Sequence, residues 1–391
     1  MSHQPTLYTA DILYTGMGLP IRDGGVVVSG QTVAAAGPRA DLRVNYPQAQ
    51  EVRVGRVISP PPVNAHTHLD MSLYQFQSLP YFEWIPQVAI AGRFLRGLDG
   101  AQTGLKAIER SGAVGMGDIV WHEGVMEWLL THSQVPGVAY WEVLDLNPAT
   151  AAETFAKTRE RVERWRRLER PGGLRLGLSP HASYTVSHTL FRLLAEYAAA
   201  EGLPMQIHVL EHPSEAELFA TGGGPLAASM ARMMPWLSIP DTLGREPAPD
   251  LTAISYLESL GVLRARPTLI HMVNVTPDDI RTVAQAGCPV VTCPRSNRNL
   301  HCGLFPWADY AAAGVEVALG TDSVASGETL DIHDEVRAAW ALHPNLDPRQ
   351  VVRAAVKGGT RVVGGRVPFI RRGDAWDAGY LWPDERAAHD V

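Results

Sequence analysis

The sequence predicts an α/β protein: a (β/α)8 TIM barrel carrying a small composite β-sandwich domain built from the N- and C-terminal segments. Three observations predict it. Short apolar segments recur between residues 57 and 319 and alternate with amphipathic helical stretches. Several of those segments end in a histidine or an acid, the end of a strand at which barrels carry their functional groups. Both termini read as glycine-broken, period-two β segments instead of helices.

In chain order, residues 7–59 hold β-like pieces at 10–14, 25–28, 32–36 and 52–58, punctuated by glycines. The segment 365–380 has the same texture. Chain ends often lie close together, so residues 1–59 with 360–391 are expected to form the small β domain and 60–359 the barrel. Barrel strands are expected at 57–63, 112–119, 137–144, 174–179, 205–210, 268–272, 289–292 and 315–319. Helices are expected between them, for example at 101–111, 152–167, 189–201 and 277–286. A doubly wound sheet competes with this fold, but its first strand usually leads into a glycine-rich turn. Here the first candidate strand ends in His66-Thr67-His68. Two segments exceed ordinary loops, 73–98 and 213–267, and both fall where a barrel builds the wall or lid of a pocket.

Composition bounds the function. The 391 residues are 46% hydrophobic and 19% charged, an ordinary globular balance. Of the 34 basic residues only Lys106, Lys157 and Lys357 are lysines, and the net charge is −7. No basic stripe interleaved with aromatics appears, which argues against a nucleic-acid polymer as partner. No apolar run reaches the ~18 residues that span a bilayer, and residues 1–10 lack a signal-peptide pattern. Cys288, Cys293 and Cys302 have no zinc-type spacing, and a reduced, cytoplasmic location is expected. The composition is compatible with a homodimer.

His66 and His68 share one face of a strand and can bite a single ion together. His208 and Asp322 end later strands, and the four supply the imidazole and carboxylate set of a divalent-metal site. One divalent metal is expected. Zinc is preferred because it persists without reducing conditions; iron fits the same ligands. Asp322 closes the run Val-Ala-Leu-Gly-Thr, where an unpaired buried acid would be costly. Glu211 follows His208 by three residues and can shuttle a proton between water and a leaving nitrogen. His271, at the sixth strand end, can orient the attacking oxygen or stabilise its charge. His181 ends the fourth strand and is expected to contact substrate. Glu142, Asp145, Asp118, Trp121 and Asn297 share the strand-end position, with Glu142 and Asn297 expected in the pocket. Trp84, with Tyr81 and Phe82, offers a lid able to stack on a planar ring. Arg295 can pin an anion or pair with a neighbouring carboxylate.

The ordered motifs Pro62-Val63-Asn64-Ala65-His66-Thr67-His68, Ser179-Pro180-His181-Ala182-Ser183-Tyr184-Thr185, Ile207-His208 with Glu211, Leu269-Ile270-His271, Cys293-Pro294 with Ser296-Asn297, and Gly320-Thr321-Asp322-Ser323 cover most of the chain. The chain resembles the amidohydrolase superfamily, in the branch of cytosine, guanine and adenosine-type deaminases and triazine chlorohydrolases. The Ser-Pro-His-Ala-x-Tyr-Thr segment is similar to deaminases of modified adenosines, aminodeoxyfutalosine deaminases included. The resemblance implies that His66, His68, His208 and Asp322 hold one Zn²⁺ or Fe²⁺ and that Asp322 takes a proton from water. It also implies that Glu211 protonates a ring nitrogen, that His271 positions the hydroxide, and that an exocyclic amine leaves as ammonia. The chain departs from the family pattern at Pro60-Pro61, at Arg295 and through residues 367–378.

The expected function is metal-dependent hydrolytic deamination of an amino-substituted nitrogen heterocycle or adenosine-like nucleoside. The alternative is a mononuclear amidohydrolase or chlorohydrolase cleaving another C–N or C–Cl bond. A binuclear enzyme needs a carboxylated lysine at the fourth strand, whereas Lys106 and Lys157 fall in predicted helices. A non-catalytic barrel would have no use for four ligands and two proton-handling groups.

Overall fold

The computed structural model of the chain describes residues 4–383. The N-terminal segments form one five-stranded sheet from β1 (Thr6–Leu13), β2 (Ile21–Ser29), β3 (Thr32–Pro38), β4 (Gln50–Arg53) and β5 (Val57–Ile58). β1 pairs antiparallel with β2, and β2 with β3, while β4 and β5 lie parallel along successive halves of β1. Both faces are apolar, as the run Val26-Val27-Val28 requires. Leu7 and Val27 pack under Leu42 of the helix Arg39–Asn45, and Val26, Val28 and Ile58 pack with Ile370 of the tail.

Among the described residues the tail adds no strand, so the second layer of the expected sandwich is a helix on one face and the tail on the other. Thr32 bridges Ala375, Ile58 bridges Leu381, and Trp376 stacks on Tyr8 with centroids 5.0 Å apart. Pro368 and the positive-φ glycines Gly364, Gly365 and Gly373 break the ladder a strand would need. The outermost residues of the expected domain, 1–3 and 384–391, lie outside the described residues.

The barrel strands are β6 (Asn64–Thr67), β7 (Met116–Val120), β8 (Gly137–Val143), β9 (Leu174–Pro180), β10 (Gln206–Val209), β11 (Thr268–His271), β12 (Val290–Thr292) and β13 (Val317–Leu319). Neighbours pair in parallel within β6–β9 and within β10–β13. Bridges Leu178–Met205 and Ala182–His208 join β9 to β10, and Thr67–Asp322 joins β6 to the end of β13, which completes the circuit. Nearly every strand residue is buried, as expected of strands covered on both faces.

One strand boundary differs from expectation. The stretch 57–63 is not the first barrel strand. Three consecutive prolines at 60–62 lack N–H donors, so β5 stays with the small sheet and β6 begins after them, with His66 inside it. The domain limit at 360 falls inside the helix Gly359–Val363, which packs on β6, β7 and β13.

Both long segments fold as helices near the strand ends. Tyr81–Leu95 comes from the first, and Gly224–Met233 from the second packs against it.

Candidate active site

Four non-glycine residues at strand ends adopt left-handed backbone: Leu210 (φ 50°), His271 (φ 70°), Met272 (φ 47°) and Asp322 (φ 59°). Such conformations are costly and collect where a fold must aim side chains. Gly320 allows β13 to approach β6, because a Cβ there would lie 2.7 Å from that of His66.

These turns bring together residues far apart in sequence. The ligand nitrogens of His66, His68 and His208 lie within 4.8 Å of one another. Asp322 Oδ1 is 3.7 Å from His66 Nε2 and 3.4 Å from His68 Nε2. Two of the three rings, those of His66 and His208, are oriented from behind. His66 Nδ1 is 2.9 Å from Gln206 Oε1, and His208 Nδ1 is 2.7 Å from the His181 carbonyl. Asp322 Oδ2 accepts from Ser296 Oγ at 2.6 Å and Ser326 Oγ at 2.9 Å, which leaves Oδ1 facing the histidines. Burial lowers the His68 and His208 pKa well below the usual histidine value, so both stay neutral and ligand-competent. His66 Nε2 is buried with no hydrogen-bond partner. An orphaned imidazole nitrogen among two further imidazoles and a carboxylate fits a divalent cation, with its supporting shell already in place.

Beside this cluster, Glu211 Oε1 lies 3.7 Å from His271 Nε2. Burial, reinforced by the charge of Asp322, raises the Glu211 pKa to about 8, so the carboxyl carries a proton near neutrality. Tyr81 Oη donates to its other oxygen at 3.1 Å, and Tyr184 Oη is 3.2 Å behind Tyr81. His271 Nδ1 is 2.9 Å from Asn297 Oδ1, so Nε2 faces Glu211.

On the opposite side Glu142 Oε1 is 3.8 Å from His181 Nε2, and Glu142 Oε2 accepts from Arg96 Nη2 at 3.3 Å. Arg96 also donates Nε–H to Asp70 Oδ2 at 2.7 Å. A cavity of about 310 Å³ joins the two sides, with Glu142, His181 and Arg96 at one wall and Glu211 and His271 at the other. Its outer part is apolar, formed by Trp84, Ile85 and Val88 from one helix and Leu226, Met230 and Met233 from the other. A few convergent polar groups in an apolar cleft is the usual make-up of a small-molecule site.

His66, His68, His208, Asp322, Glu211, His271, His181, Glu142 and Trp84 therefore all meet at one site. Asn297 does not line the cavity as expected: its Oδ1 is taken by His271, and its Nδ2 donates to Thr292 Oγ1 at 3.3 Å. Asp145 accepts from the Thr150 and Thr154 hydroxyls at 2.9 and 2.6 Å, and Asp118 accepts the Leu69 N–H at 2.8 Å. Arg295 pairs with Glu335 and Asp334 rather than facing the cavity. The sequence reading missed Gln206, Ser296 as a partner of Asp322, Ser326, Arg96 and the Tyr81 hydroxyl. Gln206 carried a signal, because it lies two residues before His208 and so shares its strand face.

Comparison with known proteins agrees with this construction. Residues 57–379 match the amidohydrolase family, and 24–49 match an imidazolonepropionase-like composite domain of bacteria. The aminodeoxyfutalosine deaminase of Deinococcus radiodurans is 62% identical over 96% of this chain and 90% of its own length. A 5-methylthioadenosine/S-adenosylhomocysteine deaminase of Syntrophobacter fumaroxidans is 28% identical over 87% of this chain and 75% of its own. Helicobacter pylori aminofutalosine deaminase, solved with methylthio-coformycin, shares the fold at TM-score 0.73 and 19% identity, covering 95% of this chain and 91% of that one. An adenosine deaminase of Xanthomonas campestris with bound zinc matches at TM-score 0.66 and 25% identity, covering 99% and 87%.

The chain belongs to the amidohydrolase family, and His66, His68 and His208 lie close enough together to share one metal ion. Within that family it is a hydrolytic deaminase acting on a small molecule.

Proposed function

We propose that the protein deaminates aminodeoxyfutalosine, replacing the exocyclic amine of its adenine ring by a carbonyl with release of ammonia. The observation that carries this substrate is the 62% identity to the Deinococcus enzyme over nearly the full chain. The cavity supports it, since a few polar groups set in an apolar cleft suit a small nucleoside.

Zinc held by His66, His68, His208 and Asp322 would supply the Lewis acidity that makes water a nucleophile at neutral pH. The chain's residues then divide the remaining work. Asp322 Oδ1 accepts a proton from the attacking water. Glu211, protonated near neutrality, passes its proton to the ring nitrogen beside the carbon under attack. The leaving amine then takes the proton held by Asp322 and departs as ammonia, while the new hydroxyl returns its proton to Glu211 as the carbon–oxygen double bond forms. His271 Nε2 faces the same point and holds the attacking oxygen. Across the cavity, Glu142 and His181 take the hydroxyls and ring edge of the nucleoside, and Trp84 closes over it.

Comparing kcat/KM for aminodeoxyfutalosine, 5′-methylthioadenosine, adenosine and an aminopyrimidine tests this reading. Aminodeoxyfutalosine is expected to lead adenosine by at least about 10-fold, the worth of roughly 1.4 kcal/mol of differential transition-state binding. An equal or higher value for adenosine would remove the substrate assignment and leave the deaminase.

A further inference from the structure

Tyr81 was expected only to stack on a substrate ring. The structure gives its hydroxyl a different task. Tyr81 opens the helix Tyr81–Leu95 directly after Pro80, and its ring is locked by stacking on His212 at 4.8 Å with Phe82 set edge-on at 5.4 Å. The hydroxyl has one proton, and it goes to Glu211 Oε2 at 3.1 Å. The 3.2 Å contact with Tyr184 must therefore be donated by Tyr184, which fixes the direction of the chain Tyr184 to Tyr81 to Glu211. The other carboxyl oxygen, Oε1, is the one beside His271 Nε2.

We propose that Tyr81 is a positioning residue for Glu211: by donating to Oε2 it places the transferable proton on Oε1, the oxygen that faces His271 and the reacting ring. A carboxyl proton cannot share an oxygen with an incoming O–H donor at no cost, so an occupied Oε2 selects the proton's site. Burial keeps the Tyr81 phenol neutral, because desolvation raises its pKa well above the ordinary value. The same hydroxyl ties the start of the lid helix to the acid, so a seated helix and a correctly protonated carboxyl occur together. This rests on Glu211 being the proton-transfer group of the proposed reaction.

Tyr81→Phe retains the ring and its stacking and removes only the hydroxyl. Its kcat is expected to fall about 10-fold while KM stays within about twofold, since one hydrogen bond to the reacting acid is lost. In a Glu211→Ala background the same substitution should change kcat by no more than about twofold. A second readout is independent of activity: thermal unfolding of the metal-loaded wild type, both single variants and the double variant. The Tm losses should fail to add, with the double variant no less stable than the weaker single one. Additive losses, a wild-type kcat for Tyr81→Phe, or an equal kcat loss in both backgrounds would each overturn the proposal. If the wild type deaminates no nucleoside, the reaction assignment falls, while the unfolding cycle still decides whether Tyr81 and Glu211 are coupled.

Discussion

Gln206 Oε1 stands 2.9 Å from Nδ1 of His66, while Gln206 Nε2 donates to the Ala65 carbonyl at 2.9 Å. The second bond sets the direction of the amide, so the first must accept Nδ1–H and turn His66 Nε2 towards His68, His208 and Asp322. A neutral glutamine thereby chooses the tautomer of a metal ligand from behind. Gln206→Leu keeps a side chain of similar volume and removes the acceptor. Metal affinity, read by competition with a chromogenic chelator, is expected to fall about 10- to 100-fold. Unchanged affinity would mean that the ring is oriented by packing alone.

His208 links the two halves of the barrel at one seam, through its backbone contacts with His181 and Ala182, as Asp322 does at the other. His208→Ala is expected to reduce bound metal from one ion per chain to a small fraction and to abolish turnover. Elemental analysis of protein dialysed against metal-free buffer checks this. Stoichiometric metal with normal rates would take His208 out of the site.

Glu211→Gln isolates the proton. The amide can still accept from Tyr81, and the ligands are untouched, so metal content should remain at the wild-type level. Turnover should fall roughly 10²- to 10⁴-fold, the usual worth of a placed acid or base. Steady-state rates normalised to metal content measure it, and a wild-type value would reduce Glu211 to a structural role.

Arg295 and Glu335 form a buried pair, with guanidinium Nε 2.6 Å from Oε1 and the Arg295 N–H 2.9 Å from Oε2. This pair anchors the turn that presents Ser296 to Asp322. Arg295→Met leaves the Glu335 charge buried without its partner and is expected to cost about 3–5 kcal/mol of stability by denaturant unfolding. Arg295→Met with Glu335→Leu should recover most of that loss. A double variant as unstable as the single one would place the cost in packing instead of in the orphaned charge.

The parts of this site legible in the sequence were those carried by periodicity. His66 and His68 share a strand face, and His208, His271 and Asp322 end apolar runs, so their convergence followed once a barrel was assumed. The groups that orient them were not legible. Ser296 and Ser326 reach Asp322 from two short helices, Pro294–Asn299 and Val324–Gly327, and nothing in their spacing selects them from other serines. Arg96 meets Glu142 and Asp70 only because the helix Tyr81–Leu95 folds back over the barrel. Asn297 was read as facing the cavity because it follows a strand end. It instead sits in the helix Pro294–Asn299, which turns its amide towards His271. The first strand was misplaced because its apolar pattern continues through three prolines that hydrogen bonding cannot follow.

In hydrolytic deamination an oxygen from water replaces an amine on the ring. Turnover of aminodeoxyfutalosine by the zinc-loaded protein in heavy-oxygen water, with ammonia and product mass followed together, tests it most directly. One ammonia released for each product, and one heavy oxygen in that product at the carbon that lost the amine, is the expected result. Product lacking the label, or substrate consumed without equivalent ammonia, would contradict the account.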